Sequence, residues 1–584
     1  MNILENLRVE MQKQKISAYI LPQTDSHGSE YIAPYWQVIK SVTGFSGSAA
    51  TVVITLKSAA LWTDSRYFLQ AEEQLKNTEF QLMRENTDNT PTVQQWLCAQ
   101  LKRNEIAAAD GKLFSINNFL EIKNELEKYQ IQLKNVDIIS KIWQNRPEIP
   151  KKPFFIHNNL NNAQNKLINS VLPEMEKAKI DLILLTSLDD IAWLFNIRGA
   201  DIEFNPVVIS YAAVDLLENK SYLFVDFDKV TNEVKNEFKK HNFSLFEYKD
   251  FFNYVEKLEN RKIGLDFKKV NFNVKTSISD SCEIKNIVSP TTFAKAIKTA
   301  DELKGLRNAM IKDGVALVKF FRWLENEVPK GDVSELSASK KLHELRKEQK
   351  DFVSESFETI AAYGEHAAIV HYAPTEQNSL ALQPQGLFLL DSGAQYLDGT
   401  TDITRTVALG DISKQQKIDY TLVLKGHIAL AKIKFPQGSR GAQLDVLARQ
   451  FLWQNCLNYG HGTGHGVGHF LCVHEGPQSI RMQENPTILE TGMVTSNEPG
   501  IYRAGKWGIR LENLIVVENY DESDFGKYLC FNTYSLCPFD KKCIDFSLLT
   551  PDETEWLNSY HAKVFEELSP YLDNNETEWL KNNL

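Results

Sequence analysis

Apolar residues return at helical spacing in the segment Asp301–Glu327, where the sequence predicts one long helix. A stripe of this kind either packs on a neighbouring sheet or pairs with a partner helix in a coiled coil. The length of the segment favours a helix that packs on a sheet of its own domain. The residues that form the stripe are Leu303, Leu306, Met310, Leu317 and Leu324.

Both ends of the chain also show helical patterns. Near the N-terminus, Leu4, Leu7 and Met11 fall on one face of an amphipathic helix, and this segment lacks the long apolar core of a signal peptide. From Leu548 onward, a second helix is predicted to return onto the domain before it. Its apolar positions are Trp556, Leu557, Tyr560, Val564, Phe565 and Leu568.

The first half of the chain contains the same succession of elements twice. In residues 16–75 three strands precede a helix, and residues 180–236 repeat that order after about 160 residues. We therefore predict two similar α/β domains. The predicted elements are Ala18–Pro22, Thr51–Thr55, Ala60–Asp64 and Arg66–Leu75 in the first copy, and Asp181–Thr186, Val207–Ala212, Ser221–Asp226 and Lys229–Glu237 in the second.

Two predicted boundaries divide the chain into three domains. The link Trp143–Pro153 is polar and rich in proline, and Ser289-Pro290 stands shortly before the long helix. The predicted α/β domains are residues 1–148 and 149–298. The third domain is residues 299–584, with a core that ends at about residue 546 and a helical extension after it.

Composition narrows the function classes. The 584 residues are 43% hydrophobic, and a net charge of −11 argues against a nucleic-acid partner, which would call for a basic surface. No apolar run approaches the ~18 residues of a membrane span, so no membrane association is predicted. The seven cysteines are scattered and odd in number, as in a reducing compartment, and we expect a cytoplasmic protein.

Several common catalytic motifs are missing from the sequence. HGTGHGVGH does not satisfy G-x-G-x-x-G, no G-x-x-x-x-G-K-[ST] occurs, and nucleotide binding is therefore unsupported. His343-Glu344 lacks the later histidine of the H-E-x-x-H zinc signature, and no G-x-S-x-G elbow is present.

The densest chemistry lies in the segment His461–Gly476, HGTGHGVGHFLCVHEG, which contains four histidines and five glycines. Histidine titrates near neutral pH and is the commonest metal ligand, and glycine lets the backbone approach a substrate closely. A glycine-rich loop with surface histidines is the simpler interpretation. The carboxylates on both sides of the segment favour a functional site instead.

Those carboxylates interrupt apolar strands. Asp391 follows Gly-Leu-Phe-Leu-Leu, Glu512 precedes Asn-Leu-Ile-Val-Val, and Asp402 and Glu498 stand near them in the chain. An acid in a buried strand is unfavourable unless it is paired or binds a cation. Each stretch reads as two strands joined by a turn. The loop between Glu498 and Glu512 is too long for the sequence to give their register.

The turn between Asp391 and Asp402 allows two registers. If the turn is Asp398 with the residue before it, Asp402 faces Gly393, and if it is Asp398 with the residue after it, Asp402 faces Gln395. In both cases the two aspartates share a sheet face, one or two pairs apart, and a bulge or strong twist would bring them together. Asp398 itself is explained by turn chemistry.

Two aspartates, two glutamates and one histidine supply enough ligands for two divalent ions that share bridging carboxylates. An oxygen-rich set with one imidazole suits Mn²⁺ or another first-row ion better than a structural zinc, which prefers thiolates. Two ions roughly 3.5–4 Å apart can hold a hydroxide between them and polarise a carbonyl at neutral pH. The pattern therefore indicates a hydrolase.

Taken in chain order, Asp391, Asp402, His465, Glu498 and Glu512 resemble the metal ligands of the pita-bread metallopeptidases, which include methionine aminopeptidase, prolidase and Xaa-Pro aminopeptidase. The segments IVHYAP, DSGAQYLDGTTDITRT, HGTGHGVGHFLCVHEGP and EPGIY with GIRLEN are similar to Xaa-Pro aminopeptidase (aminopeptidase P) in its long, three-domain cytosolic form. The likeness continues through SEYIAP, WTDSRYFLQ and LDDIAWLFNIRG. It implies two creatinase-like α/β domains before a pita-bread catalytic domain, and a homodimer.

The resemblance also assigns roles. The five ligands would hold two metal ions, a hydroxide that bridges them would be the nucleophile, and Glu498 would accept its proton. His371, His465 and His474 match positions that contact substrate, and His371, His461 and His474 would stabilise the charge on the carbonyl oxygen. For His371, a satisfied core or turn histidine is the alternative. His469 has no role in the family pattern.

Arg66 matches a family arginine that reaches toward the distal part of the peptide. A surface salt bridge with Asp64 or Glu72 is the alternative interpretation of this residue. The sequence does not identify a proline pocket. Tyr372, Tyr502 and Trp507 are candidates by proximity to the motifs, and core packing is the simpler role for each.

The reaction implied is removal of one N-terminal residue from peptides with proline at the second position. A tertiary X-Pro amide has no N–H, which defeats proteases that need that donor, whereas a dimetal site acts on the carbonyl. A prolidase, which cleaves dipeptides, has the same ligands, and the two N-terminal domains favour longer peptides. A domain that has lost catalysis and only binds peptides would be expected to lack ligands that this chain keeps.

Overall fold

Two sheets with the same strand order form the N-terminal half of the protein, as the repeated sequence pattern predicts. The computed structural model describes residues 3–584 and divides into two compact units, one ending at Ala294 and the other spanning Lys295–Leu584. In strand order, the first sheet consists of Phe80–Arg84, Ala59–Thr63, Thr51–Thr55, Ala18–Pro22, Ile106–Ala109 and Gln132–Asn135. The second consists of Phe243–Phe246, Lys220–Val225, Ser210–Asp215, Leu182–Leu185, Lys262–Leu265 and Glu283–Asn286.

The two sheets agree in strand direction as well as order. In each, a central antiparallel run of three strands is extended by parallel strands at both edges. Parallel edges require crossover helices, and these cover the faces. The helices of this unit are Ile3–Lys13, Val38–Thr43, Phe68–Gln74, Val93–Gln100, Ile116–Lys128, Ile139–Ile142, Leu160–Lys166, Leu172–Ala178, Leu188–Leu194, Asn232–Lys240, Phe251–Glu256 and Phe272–Ser277, and the helix Pro290–Ala296 extends two residues past its last residue, Ala294. A short two-stranded sheet pairs Phe155–Ile156 with Ile197–Arg198.

One predicted strand of the second copy is displaced. The sequence pattern predicts Val207–Ala212, whereas the strand runs from Ser210 to Asp215. Residues before Ser210 are held in a loop, because the Ile209 N–H donates to Asp201 at 2.8 Å instead of to a neighbouring strand. The predicted N-terminal helix is confirmed, and it buries Leu4, Leu7 and Met11.

The second unit surrounds several small antiparallel sheets with long helices. Its helices are Ala300–Glu327, Glu335–Lys347, Lys414–Ala431, Gly441–Trp453, Pro551–Leu568 and Asn574–Asn583. Its sheets are Phe352–Glu355 with Ala394–Tyr396 and Gly399–Thr400; Ile360–Tyr363 with Leu387–Ser392 and Ile403–Ala408; and Lys434–Pro436 with Gly526–Thr533, Asn513–Ser523 and Val494–Asn497. Two-stranded pairs join Gly464–His465 to Ser479–Ile480 and Gly500–Arg503 to Trp507–Arg510.

The predicted long helix is confirmed as Ala300–Glu327. It begins with a capping box in which Thr299 and Glu302 satisfy each other's backbone N–H groups. Four of the five predicted stripe residues are buried, and Leu303 lies at the edge of the core. The stripe packs inside the unit, so the predicted packing on the domain core is confirmed.

The predicted C-terminal helix is confirmed as Pro551–Leu568. Leu557, Tyr560, Val564 and Leu568 are buried in the same core as the long helix. None of the helices between residues 3 and 584 is long and apolar enough to cross a membrane. The same residues contain no disulfide bond.

Candidate metal centre and active site

The register of two antiparallel strand pairs determines where Glu498 and Glu512 lie. Asn497 pairs with Asn513, and three residues further along, Gly500 pairs with Arg510. Both ladders have the same register, so Glu498 and Glu512 stand opposite each other between them. The backbone confirms this arrangement, because the Leu511 N–H donates to the Pro499 carbonyl at 3.2 Å.

The aspartates stand on the other strand pair. Asp391 pairs with Thr404, and Gln395 pairs with Thr400, which selects the turn formed by Asp398 and the residue before it. In that register Asp402 faces Gly393, one of the two predicted positions. Strand pairing stops at this point and resumes in the same register, so neither strand has an extra residue. A gap in the pairing therefore takes the place of the predicted bulge.

The ladder is interrupted because Gly393 and Thr401 approach closely. A side-chain carbon at Gly393 would lie 2.0 Å from the Thr401 carbonyl oxygen, a distance that no other residue type could accept. At the turn, the Asp398 carboxylate pairs with Lys312 at 2.9 Å and does not join the other acids. Its predicted role in the turn is consistent with this pairing.

His465 completes the cluster from a different segment. Its Nε2 lies 3.5 Å from Asp402 Oδ2 and 3.5 Å from Glu498 Oε1. Its Nδ1 lies 3.0 Å from the Gly466 carbonyl, which accepts a hydrogen bond from Nδ1–H and so leaves the Nε2 lone pair for a metal. Asp402, His465 and Glu512 each offer a ligand atom within 4.8 Å of the others.

Hydroxyl groups orient the ligands from behind. Ser496 accepts from the His465 backbone N–H at 2.9 Å and donates to Glu498 at 3.1 Å. Thr404 donates to Glu512 Oε2 at 2.8 Å. Such contacts fix the direction in which a ligand presents its free atom.

Burial and mutual repulsion raise the pKa values of these carboxyls. Burial, then the charges of Asp391 and Glu498, raise the pKa of Asp402 well above its usual range. Burial, then Asp402 and its neighbours, do the same to the pKa of Glu512. Burial raises the pKa of Glu498 to about 7, while the cation of Arg510 opposes that shift. Without a cation, the cluster therefore keeps its protons to a higher pH than exposed carboxyls do.

Arg510 links the cluster to a histidine. Its Nε donates to Asp391 Oδ2 at 3.1 Å, and a second donor from its Nη2 reaches the same oxygen. Its Nη1 donates to the Tyr502 hydroxyl at 2.7 Å, and that hydroxyl lies 2.7 Å from Nε2 of His461. The Nδ1 of His461 faces the Gly462 carbonyl at 2.7 Å, so Nε2 is the acceptor for Tyr502.

The other predicted histidines lie at different distances from the cluster. The ring of His474 lies 4.4 Å from that of His465, centre to centre, and His461 Nδ1 lies 4.0 Å from Glu498. His371 is half-buried in the segment after the turn Gly364–Ala368. Its neighbour Val370 accepts a long 3.4 Å contact from Arg510, which places this segment beside the cluster.

Arg66 lies in the first unit, where its guanidinium donates to both oxygens of Asp64 at 2.9 and 2.7 Å. Of the two predicted salt bridges, the one with Asp64 is therefore formed. Glu72 pairs with Arg84 instead. His469 packs against the long helix, where a side-chain carbon at Gly305 would lie 3.1 Å from its ring.

Sequence reasoning missed Arg510, Tyr502 and Thr404 as parts of the site. A signal existed for Arg510, since an arginine two residues before Glu512 in an apolar strand needs an acidic partner. Tyr502 was a candidate for the proline pocket, yet its hydroxyl joins Arg510 to His461. Trp507, another such candidate, donates its indole N–H to buried Asp419 at 3.0 Å.

Arg405 supports the backbone at Glu512, directly before the strand Asn513–Ser523. It is fully buried and donates to the Glu512 carbonyl at 2.6 Å and to the Asn513 side chain at 2.8 Å. It also donates to the hydroxyl of Tyr560 at 2.9 Å, so the C-terminal helix is tied to the metal-ligand strand. Because several buried acceptors bind its guanidinium, Arg405 fixes the positions of these segments relative to one another.

The whole chain is similar to known proteins. It is 39% identical to Xaa-Pro aminopeptidase 1 of Dictyostelium discoideum over 100% of this chain and 96% of that protein. Residues 304–519 match the description "Metallopeptidase family M24". The chain belongs to metallopeptidase family M24, among the Xaa-Pro aminopeptidases. Further matches are "Creatinase/Prolidase N-terminal domain" at residues 3–144 and 145–302, and "C-terminal region of peptidase_M24" at residues 527–584.

Two solved structures are similar to this one in fold. X-prolyl aminopeptidase from Caenorhabditis elegans, described as a cytosolic enzyme with a di-nuclear active site, superposes with a TM-score of 0.94 at 34% identity, covering 100% of this chain and 99% of that one. Xaa-Pro dipeptidase from Bacillus anthracis gives a TM-score of 0.52 at 24% identity and covers 65% of this chain and 99% of that one. The predicted order of two creatinase-like domains and a pita-bread catalytic domain is confirmed.

Proposed function

We propose that this M24 protein is a dimetal aminopeptidase that removes the N-terminal residue from peptides with proline at the second position. The observation that carries the proposal is the convergence of Asp402, His465, Glu498 and Glu512, with Asp391 beside them, in a chain similar to Xaa-Pro aminopeptidases over its full length. Acids so placed are unfavourable without a cation.

The residues present fit a pair of divalent ions. Asp391 Oδ1 and Glu512 Oε1 are buried oxygens without a hydrogen-bond partner among the described residues, and both belong to the cluster. A buried carboxylate oxygen with no donor is destabilising unless a cation contacts it. Asp391, Asp402, His465, Glu498 and Glu512 are the residues that would hold the two ions. When bound, the ions supply a water activated as a nucleophile and polarise the substrate carbonyl.

Glu498 is the proton acceptor in this proposal. Its carboxyl is largely buried, follows the strand Val494–Asn497 directly, and is oriented by Ser496. A general base must lie within hydrogen-bond reach of the proton that it accepts, and a carboxylate that holds the ions would lie beside the water that they activate. It would take the proton of the attacking water and pass it to the leaving amine.

The histidines act on the substrate. His461 receives a hydrogen bond from Tyr502, which fixes its ring, and His474 stands against His465. His371, His461, His465 and His474 are proposed to contact the peptide around the scissile bond. His371, His461 and His474 would also stabilise the negative charge that develops on the carbonyl oxygen.

Proline at the second position follows from the same chemistry. An X-Pro bond is a tertiary amide, and a site that acts through its carbonyl needs no N–H donor from the substrate. The fixed φ of proline also reduces the entropy lost when the peptide binds. Arg66 is proposed to reach the distal part of longer peptides, in exchange for part of its pairing with Asp64.

Substrate length separates an aminopeptidase from a dipeptidase. We expect the purified protein to hydrolyse Arg-Pro-Pro well and the dipeptide Gly-Pro poorly. The Arg66→Ala variant should raise KM for Arg-Pro-Pro and leave Gly-Pro unchanged, while Arg84→Ala, which removes a similar surface arginine, serves as the control. Efficient cleavage of Gly-Pro with no cleavage of the tripeptide would indicate a prolidase.

Metal content tests the site directly. After dialysis against chelator, Mn²⁺, Co²⁺ and Zn²⁺ are added back singly, and bound metal is measured together with hydrolysis of Arg-Pro-Pro. We expect two ions per chain and the highest activity with Mn²⁺, because the ligand set is rich in oxygen. Asp402→Asn should lose metal and activity together. A protein that binds peptide without metal and cleaves none would be the catalytically inactive relative.

We also propose that the protein is a cytoplasmic homodimer. The helix Gly441–Trp453 exposes Val446 and Trp453, seven residues apart on one helical face, with 43% and 41% of their surfaces accessible. Light scattering of the wild type should give twice the mass of the chain. If this helix face forms the dimer interface, Val446→Arg should give monomers. Phe525→Arg, at an exposed hairpin tip, should leave the dimer intact.

The domain limits are part of the proposal. We propose domains at residues 1–148, 149–298 and 299–584, with linkers near Pro150 and near Thr299. Limited proteolysis should cut first near these positions, since linkers are more accessible than the sheets on either side. First cuts within either six-stranded sheet would contradict these limits.

A further inference from the structure

A buried carboxylate far from the metal ligands in sequence holds the segment that carries His371. Glu335 is the first residue of the helix Glu335–Lys347 and is 0% exposed. It is not needed to cap that helix, because Ser334 and Ser337 form the capping box. Its side chain is available for contacts with another part of the domain.

Both oxygens of Glu335 are used by one segment. Oε1 accepts from the Tyr363 backbone N–H at 2.7 Å and lies 3.0 Å from Nδ1 of His366. Oε2 accepts from the Tyr372 hydroxyl at 2.7 Å and from the Leu380 backbone N–H at 2.8 Å. One carboxylate therefore joins four positions along a stretch of chain with little regular structure.

These four positions bracket His371. Tyr363 and His366 precede it, and Tyr372 and Leu380 follow it. Between the strands Ile360–Tyr363 and Leu387–Ser392, this part of the chain forms one short 3₁₀ turn, so no ladder fixes the backbone at His371. The rings of His366 and Tyr372 also stack against each other with centres 4.4 Å apart.

The contact of Arg510 with Val370 is a weaker restraint on the same segment. At 3.4 Å it is a long hydrogen bond, while three of the Glu335 bonds are 2.8 Å or shorter. Glu335 therefore restrains this segment at more positions, and through shorter hydrogen bonds, than the Arg510 contact does.

The carboxylate also needs these donors. A buried carboxyl group without partners is strongly unfavourable, whereas the four polar contacts here satisfy both of its oxygens. All four partners reach the Glu335 carboxyl group at the same time only when the segment has the arrangement seen here. A displaced segment would leave the carboxyl group and the Leu380 N–H unsatisfied.

We propose that Glu335 is a positioning residue for the aminopeptidase reaction: it fixes the segment 363–380 so that His371 faces the substrate. This rests on the proposed function, because it takes His371 to contact the scissile region. Catalytic groups act only within a narrow geometry, and a displacement of about 1 Å can lower the rate by up to 10²-fold. Glu335 itself touches no reacting atom.

The first test is Glu335→Gln, which keeps the shape of the side chain and removes its charge. Whichever oxygen the amide nitrogen replaces, it faces a backbone N–H, that of Tyr363 or that of Leu380, from which it cannot accept, so the segment should shift. We expect kcat for Arg-Pro-Pro to fall about tenfold with KM within about threefold, as for a misplaced catalytic group. Hydrogen exchange of residues 364–380 should become faster, while exchange in the helix Lys414–Ala431 stays unchanged.

Glu553→Gln is the matched control. Glu553 also lies near a helix start, is 8% exposed, and accepts from Lys425 Nζ at 2.6 Å and from the Thr550 backbone N–H at 2.8 Å. None of these partners belongs to residues 363–380. This variant should have a lower Tm with unchanged kcat and KM.

A double-mutant cycle separates positioning from a general loss of structure. On a His371→Ala background, Glu335→Gln should lower kcat less than twofold further, because the group that it positions is already gone. An equal tenfold loss on both backgrounds would overturn the proposal. If Glu335→Gln fails to fold, Tyr372→Phe removes one donor from the same carboxylate and takes its place in the cycle.

The outcomes distinguish this inference from the proposed function. A wild-type enzyme that cleaves Arg-Pro-Pro alongside a fully active Glu335→Gln variant would contradict the positioning role alone. A wild-type protein that cleaves no Xaa-Pro peptide would contradict the proposed function. In that case the positioning proposal also fails, whereas faster exchange confined to residues 364–380 would still identify Glu335 as the anchor of the segment.

Discussion

Glu498 and Glu512 stand opposite each other across one antiparallel register, between the pairs Asn497–Asn513 and Gly500–Arg510. Directly opposed carboxylates repel each other, and here both are also withdrawn from water. Without a cation, electrostatic repulsion between these two carboxylates therefore destabilises this strand pair. A cation between the two side chains removes that conflict, and the stability of the domain should depend on it.

Metal-induced stabilisation should grow with pH. The pKa of Glu498 is raised from 4.5 to about 7, so the folded, metal-free state binds this proton more tightly than the unfolded chain does. The resulting stability is fully present below about pH 4.5 and is lost as the pH rises through about 7. The raised pKa values of Asp402 and Glu512 act in the same direction.

Thermal unfolding checks this in chelator and in excess Mn²⁺. We expect the rise in Tm on adding metal to be small at pH 5 and larger at pH 8. At pH 5 protons compete with the ions for the carboxylates, whereas at pH 8 more of these protons have been lost and the ions bind in their place. In Glu498→Gln the pH dependence of this difference should be weaker. A metal-induced rise of equal size at both pH values would contradict the raised pKa values.

Thr404→Val should weaken metal retention while the protein stays folded. Its hydroxyl donates to Glu512 Oε2 at 2.8 Å, and valine keeps its shape. Loss of a group that orients a ligand typically lowers metal affinity about 10–100-fold. Metal competition with a fluorescent chelator measures the effect. Thr421→Val, a buried threonine on the helix Lys414–Ala431, should leave the affinity unchanged.

Tyr502→Phe should slow the chemical step. The hydroxyl joins Arg510 Nη1 to Nε2 of His461, each at 2.7 Å, so its removal frees the histidine ring. A hydrogen bond of this kind contributes about 0.5–1.5 kcal/mol, which corresponds to a roughly 2- to 10-fold lower kcat. Single-turnover kinetics on Arg-Pro-Pro measure that step. A raised KM with unchanged kcat would show instead that Tyr502 lines the substrate pocket.

The sequence was sufficient to predict the elements that depend on residues close together in the chain. The helix Ala300–Glu327 follows from its apolar spacing together with Thr299 and Glu302 at its start. The two N-terminal domains follow from strands and helices in the same order. The five cluster residues could be named because each is an acid or histidine in an unfavourable place, and because their order matches a known family.

What the sequence could not predict depends on pairings between distant segments. The register of Glu498 and Glu512 was left open because the chain between them changes sheets, and the turn at Asp398 fitted two registers. Glu335 looks like an ordinary acid in the first turn of a helix. Its role depends on donors from Tyr363 and Leu380, which a single sequence does not place beside it.

Two glycines of the histidine-rich segment should differ sharply when replaced by alanine. A side-chain carbon at Gly464 would lie 1.9 Å from the Ser496 carbonyl oxygen and 2.9 Å from its carbonyl carbon, so the backbone of the neighbouring strand leaves it no room. At Gly462 the nearest atom would be 3.5 Å away, an ordinary contact. Gly464→Ala should therefore separate His465 from Glu498 and destabilise the domain by about 1–3 kcal/mol or more.

Tm, bound metal and hydrolysis of Arg-Pro-Pro compare the two variants. Gly464→Ala should lose metal and activity, because the strand that carries His465 is pushed away from the strand Val494–Asn497. Gly462→Ala should match the wild type in all three, although it stands between His461 and His465 in sequence. If both variants were equally impaired, flexibility of the glycine-rich segment would matter more than close packing, and the close approach at Gly464 would not explain its glycine.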